Sequence, residues 1–307
     1  MQNTSVSFNF IPEPYRVISG SVLKLVAVVT MLIDHIGAGI LLPMYLDKLY
    51  PFGLSQRGAY ILYRVTRNIG RIAFPLFCFL LVEALFYTTN RLRYFLTLLL
   101  FALLAEFPYD ITLNCTAAGT PHDGLRDSLL HNYAAVTGGQ SVFLTLALGF
   151  LCIWGMQFLS ERMQHFLQPP AGTPGSTRRQ SFALPLYLMT AMLSFLMIYA
   201  ACLLADVLGV DYKHRGVLVI VIFYLLRRIR PLALLAAYFY LGVIAYAEGA
   251  VSLSVWSSSI WAFPGYLLML FYNDKRGFIR GNLKYAFYAF YPVHLLLLWL
   301  LRMWVYR

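Results

Sequence analysis

VLKLVAVVTMLIDHIG, residues 22–37, reads as a membrane-spanning helix that carries Asp34 and His35 deep inside its apolar run. A helix rises about 1.5 Å per residue, which puts His35 roughly 20 Å along a helix beginning near Ser21. An ionisable side chain at that depth costs on the order of 2.5–3.5 kcal/mol on insertion scales. Something must offset that cost, and a functional site is the default reading of such a residue. The plain alternative is a helix–helix contact made for stability alone. His35 is expected to face the bundle interior and to touch a carboxylate.

The rest of the chain agrees with a membrane setting. Of 307 residues, 60% are hydrophobic and 12% are charged, and the mean hydropathy is +0.67. A soluble domain carries about 25% charged residues, so the expected fold class is an all-α, polytopic membrane bundle forming a single domain over 1–307. MQNTSVSFNFIPEPYR at the start has no basic segment followed by a short apolar core and a cleavage site, so the first helix serves as an uncleaved signal. The net charge of +11 sits in short loops, as the positive-inside rule predicts, and implies no nucleic-acid partner. Cys78, Cys115, Cys152 and Cys202 are scattered and suggest neither disulfides nor a metal site.

Apolar runs fall at about 22–42, 72–89, 94–113, 141–159, 182–204, 216–226, 231–247, 256–272 and 285–304. Crossing the hydrocarbon core takes roughly 20 residues, so eight or nine transmembrane helices are expected, nine being the best count. GVLVIVIFYLL is too short alone and must borrow flanking residues, tilt or re-enter. Lys and Arg are in excess on the N-terminal side, which places the N-terminus in the cytoplasm and the protein in the inner membrane. The connection 43–71 holds GLSQRGAYILYRVTRNIG, whose arginines alternate with apolar residues at helical spacing, as in a segment lying along the interface. QPPAGTPGSTRRQS, 168–181, has the composition of a flexible cytoplasmic linker.

With this topology several polar residues converge on the outer side. Asp34 and His35 lie in the outer half of the first helix, and Arg71 opens the second in GRIAFPLFCFLLVE. Glu106 and Asp110 end the third in FALLAEFPYDI, four residues apart and so on one face. Like charges at that spacing need a nearby cation or a shared proton, and Arg71 and His35 are the available partners. Pro108 between them removes a backbone donor and opens the helix end. Gln140 and Ser141 precede the fourth helix, and Asp206, Asp211 and Tyr212 follow the fifth, where an ordinary solvated loop explains the aspartates equally well.

A second cluster marks the opposite face. YNDKRG at 272–277 and KYAFYAFYPVH at 284–294 place Lys275, Arg276, Arg280 and Lys284 beside Tyr272, Tyr285 and Tyr288. Lys284, Phe287, Tyr291 and His294 form one helical stripe, with His294 roughly 15 Å beyond Lys284. Such a turn could hold an anionic, aromatic ligand such as a nucleotide carrier. An interfacial tyrosine belt with positive-inside charge is the bland reading, but it leaves His294 at mid-depth unexplained. Histidine is the natural general base near neutral pH, oriented by a carboxylate. Acyl transfer needs such a base and a donor for the developing oxyanion. His35 with a carboxylate, plus Arg71, fits that need, and a proton-coupled transporter or channel would use the same residues as a relay. A non-catalytic scaffold lacks a large soluble loop for docking.

LKLVAVVTMLIDHIG, GRIAFPLFCFLLVE, LLFALLAEFPYDI, VFLTLALG, GVLVIVIFYLLR, YNDKRG and KYAFYAFYPVHLL, in this order, resemble the TraX family, named for the F-pilin acetylase of conjugation. That family looks like part of the broader transmembrane acyltransferases, which include the lysosomal heparan-glucosaminide N-acetyltransferase. The resemblance runs from about residue 22 to 300, outside the 114–139 loop and the 160–182 linker. It implies transfer of acetyl from acetyl-CoA to an amine or hydroxyl, such as a pilin N-terminus or a surface glycan, without a metal. The matching positions are Asp34, His35, Arg71, Glu106, Asp110, Tyr291 and His294. Ser141 stands where an asparagine is expected, and supplies no amide, and Ala84 stands where a glycine often follows the glutamate. The combined expectation is a catalytic set of His35, Asp34, Arg71, Glu106, Asp110 and His294. Lys275, Arg276, Lys284, Tyr288 and Tyr291 would hold acetyl-CoA at a cytoplasmic entrance, its acetyl arm reaching past His294 to His35.

Overall fold

The structure is a computed structural model that describes residues 8–114, 139–167, 183–247, 260–279, 281 and 283–305. It is built from helices: α1 (Gly20–Ile36), α2 (Leu42–Leu46), α3 (Gln56–Gly70), α4 (Ala73–Tyr87), α5 (Arg91–Tyr109), α6 (Val142–Leu167), α7 (Ala183–Val207), α8 (Lys213–Leu225), α9 (Arg230–Ala247), α10 (Phe263–Leu270) and α11 (Leu283–Val305). Isolated β-bridges are the only pairing outside helices among these residues. By length and apolar composition, six described helical stretches can cross a membrane, so this is a multi-pass membrane protein.

The first crossing is longer than the sequence reading made it. Immediately after His35, α1 widens into a π turn, Gly37–Leu41, and continues through α2, so that Gly20–Leu46 is one 27-residue stretch. A second π turn, Asp110–Asn114, follows α5 just beyond Pro108. Single π turns inside α-helices concentrate at functional sites, and here the two turns touch.

The connection 43–71 is not simply an interfacial segment. Ser55 Oγ accepts from Gly58 N at 3.2 Å and caps α3, which packs along α1 and the first π turn. A tight turn at Arg71 carries α3 into α4, and Gln56–Tyr87 forms one 32-residue candidate span. Packing against α1 recruits this helix, and Arg67 finds its partner Asp34 there.

The short helix α8 keeps its 13 residues. It lies inside the bundle against α4, α6, α7 and α9, with Val217, Val219, Ile220, Val221 and Phe223 buried. Protein rather than lipid surrounds it, so its length is not set by the bilayer. On the periphery α7 exposes most of its apolar side chains, with only Ala205 buried. The 168–181 linker lies outside the described residues.

At the end where α1 begins, the chain is strapped down by its last long connection. Gly20 N and Ser21 N donate to the carbonyls of Lys275 and Arg276, both at 2.9 Å. Ile18 bridges to Tyr272, and Ile279 N donates to Ser21 Oγ at 2.8 Å. The first N–H groups of α1, which have no partner within their own helix, are thus satisfied by the turn. Gly277, at φ +85°, makes the close approach, since a side chain there would meet Ser19 and Ser21.

Candidate functional site

His35 and His294 meet inside the bundle. Both are buried, at 8% and 4% exposure. His35 Nδ1 lies 2.7 Å from His294 Nε2, and the rings are near-parallel, 3° apart in plane with centroids at 5.0 Å. The expectation of a carboxylate partner for His35 is therefore corrected: its partner is the other histidine. Nor do the two lie in series along an acyl path, since they stand at one level and touch.

The hydrogen bonds fix the tautomers. His294 Nδ1 lies 2.7 Å from the carbonyl of Phe290, which accepts only, so this nitrogen carries a hydrogen. In the neutral ring Nε2 then has the lone pair and accepts. His35 Nδ1 must donate, and His35 Nε2 is left unprotonated. A proton taken at His35 Nε2 turns the histidine–histidine contact into a charge-assisted hydrogen bond. Tyr291 stands edge-on to both rings, at 5.7 Å and 5.6 Å, and Phe290 stacks on His294 at 4.7 Å. Met31, Ala73, Ala105 and Leu295 form one apolar cluster with Tyr291, beside the pair.

Asp34, one residue before His35, turns to α3. Arg67 Nη1 lies 2.5 Å from Asp34 Oδ2. The pair is possible because α3 ends on Gly70, where a Cβ would overlap the Asp34 side chain. Arg71, the arginine that sequence reasoning chose, interacts with Tyr212 and also faces Asp34 and Asp211. Arg67, which that reasoning passed over, is the arginine within electrostatic reach of His35. It sits one helical turn before Arg71, on the same face, a spacing that points to it.

Asp211 joins this cluster instead of lying in open solvent. Its carboxylate accepts from Tyr212 N at 3.0 Å, and its carbonyl accepts from the Thr145 hydroxyl. Burial pushes the carboxyl up to about 6, with Asp34 adding to the rise and the Tyr212 N–H, Arg67 and Arg71 opposing it. Tyr212 takes a left-handed backbone, φ 62°, and stacks on Phe74 at 3.7 Å. Asp206 pairs instead with His214 at 2.9 Å.

Glu106 and Asp110 do not share a cation. Glu106 accepts from Ser141 N at 3.1 Å and from Ser141 Oγ at 2.7 Å, at the positive N-terminal end of α6. The Ser141 hydroxyl takes up hydrogen bonding that an amide was expected to supply. Asp110 accepts from Asn114 at 2.8 Å. A helix terminus and an amide thus satisfy both, and neither pairs with Arg71 or His35 among the described residues.

At the basic turn, Lys275 and Arg276 are exposed. Asp274 pairs with Arg16 at 3.5 Å and with the buried Arg230. Tyr288 stacks on Phe101 at 5.4 Å and lies within electrostatic reach of Arg276. Tyr291 belongs to the histidine pair rather than to the turn. The side chain of Lys284 lies outside the described set. Sequence reasoning also missed the buried ion pair of Glu83 with Arg227, 2.9 Å, and the buried Arg302.

Residues 19–302 match the family described as "TraX protein". The chain belongs to the TraX family. A relative from Dichelobacter nodosus, described as "Probable fimbrial assembly protein FimC, serogroup H1", is 27% identical over 282 residues, covering 90% of this chain and 92% of its own length. No solved structure matches. In this TraX-family chain both histidines, Asp34, both arginines and the basic turn fall within the matched residues.

Proposed function

We propose that this TraX-family protein is a membrane-embedded acyltransferase that moves acetyl from cytoplasmic acetyl-CoA to an extracytoplasmic amine or hydroxyl. The reading places it in the inner membrane with nine crossings and a cytoplasmic N-terminus. Its acceptor is a fimbrial or pilin subunit, for which the fimbrial assembly relative and the family resemblance speak; a surface glycan is the other acceptor class. The observation that carries the reading is the buried histidine pair, whose hydrogen bonds leave His35 Nε2 as an unprotonated base.

The residues present suit such a donor. Lys275 and Arg276 are exposed and in no ion pair among the described residues, on a turn fastened to α1. They would hold the phosphates, with Tyr288 between Arg276 and the interior. Acetyl-CoA, when bound, supplies an activated acyl group and a thiolate leaving group. His35 Nε2 takes the proton from the attacking N–H or O–H. His294 accepts the His35 Nδ1 hydrogen bond and spreads the resulting charge toward the Phe290 carbonyl. Asp34 neutralises Arg67, so His35 does not face an uncompensated cation. Arg71, held by Tyr212 and facing Asp34 and Asp211, is the donor this reading assigns to a developing oxyanion. The apolar shell keeps water from competing with the acceptor.

The test is transfer of labelled acetyl from acetyl-CoA by purified protein to fimbrial subunit or to a peptide with a free N-terminus. Label should appear on the acceptor with wild type and vanish with His35→Gln. The histidine-to-histidine hydrogen bond also suits a proton relay, as a proton-coupled transporter would need. Proton flux in proteoliposomes that requires His35, without acetyl transfer to any acceptor, would replace the enzymatic reading with that one.

A further inference from the structure

We propose that Arg302 is the positioning residue that sets the register between His35 and His294. The two histidines come from different helices, so their 2.7 Å contact depends on how α1 and α11 are held lengthwise. Arg302 lies on α11, eight residues beyond His294, or roughly 12 Å along the helix. It is 1% exposed. Its guanidinium Nη2 donates to the carbonyl of Ile111 at 2.6 Å, and Nη1 donates to Thr112 at 3.0 Å and Gly39 at 3.5 Å.

These acceptors are the carbonyls of the two π turns. Gly39 lies in the turn that opens directly after His35, and Ile111 and Thr112 lie in the turn that ends the α5 stretch. Ile111 and Thr112 offer last carbonyls of the α5 stretch, which lack partners within it, and a cation at that end also complements the helix dipole. A planar fork with several donors reaches carbonyls of two segments at once, which a lysine's compact ammonium on a flexible stem does not. Thr112 Oγ1 adds a second tie, donating at 3.0 Å to the carbonyl of Leu295, the residue after His294. At two points beyond His294, Leu295 and Arg302, α11 is therefore pinned to the π turn Asp110–Asn114, and at Arg302 also to the turn that follows His35. The importance of the register for catalysis rests on the acyltransfer reading, whereas the register itself does not.

Coupling between nitrogens across the His35–His294 hydrogen bond reads the register directly, in ¹⁵N-histidine-labelled protein by solid-state NMR in lipid. Wild type, Arg302→Lys, Arg302→Met and a control core truncation in α4, Leu85→Ala, are compared. The coupling should fall by about half in Arg302→Lys, which keeps the charge but loses the fork, disappear in Arg302→Met, and persist in Leu85→Ala. If acetyl transfer is established, kcat should fall roughly 10²-fold in Arg302→Met, the effect of misplacing reacting groups by about 1 Å, with KM for acetyl-CoA unchanged. A wild-type coupling in folded Arg302→Met overturns the proposal. If that variant does not fold, a wild-type coupling in Arg302→Lys overturns it equally. So does an equal loss in Leu85→Ala, which would mean that any loosening of the bundle separates the rings. Because the coupling is read without turnover, absence of acetyl transfer would sink the enzymatic reading and leave this one standing.

Discussion

A histidine on a lipid-crossing helix gains little from being merely buried. What distinguishes His35 is that a second histidine, itself fixed by the Phe290 carbonyl, decides which of its nitrogens holds the proton. Removing that second ring should cost rate rather than binding. On the acyltransfer reading, His294→Ala is expected to lower kcat for acetyl transfer by roughly 10²-fold, the low end of what a positioned base contributes, with KM for acetyl-CoA near wild type. Steady-state kinetics on purified protein measure both. Asp211 allows a different check. Its carboxyl is held up at about 6 against an ordinary 3.8. With the folded value above the unfolded one, its stabilising contribution is whole below about pH 4 and is lost as pH rises through about 6. The melting temperature of wild type relative to Asp211→Asn should therefore drop between those two values in detergent. Parallel melting curves for the two proteins across that window would show that burial does not hold the carboxyl up.

At the scale of elements, the site is assembled where α3 ends against α1. Gly70 sits in contact with Asp34, and an added Cβ has no room. Overpacking of this kind costs about 1–3 kcal/mol, so Gly70→Ala should lower the melting temperature. Combined with Asp34→Gly, which also removes the Cβ that the new methyl would meet, it should cost less than the sum of the two single changes, because the two side chains compete for one space. A purely additive double variant would show that the glycine matters for some other reason. Hydropathy alone located α1 and α4 to α11, because apolar runs announce themselves by composition whether they face lipid or protein. Asp34, His35 and His294 were legible for the same reason, as polar residues where polarity is expensive. The partners were not. Arg67 had been read as part of a loop, since an arginine-rich amphipathic helix looks the same whether it lies on lipid or on α1. Glu106 and Asp110 looked like a repelling pair because their separate answers, Ser141 and Asn114, are choices of packing. Arg302 gives no such signal, since a cation near the end of the last apolar run, 285–304, suits the interface equally well, and the carbonyls of the two π turns explain why it is inside.

Across the whole molecule, one end gathers Lys275, Arg276 and the strap over α1, and the other gathers Asp34, Arg67, Arg71 and Asp211. If the N-terminus is cytoplasmic, Glu13 and Phe52 lie on opposite sides of the membrane, because the 27-residue stretch Gly20–Leu46 separates them. Phe52 is 91% exposed. On a background with the native cysteines replaced, an impermeant maleimide should label Phe52→Cys in spheroplasts and reach Glu13→Cys only after lysis. The reverse pattern would invert the topology, put the basic turn outside, and remove cytoplasmic acetyl-CoA as its ligand.

The strap over α1 and the histidine contact have a shared consequence for biosynthesis. The two histidines are 259 residues apart in the chain, and the carbonyls that finish the first turn of α1 come from Lys275 and Arg276. A ribosome adding about 5–20 residues per second needs roughly 10–50 s to pass from one histidine codon to the other. Throughout that interval α1 waits in the membrane with an open first turn and an unpartnered base. On the acyltransfer reading, the nascent protein would stay inert until α11 is inserted, and a chain cut short before it would be discarded without ever having acted on a substrate.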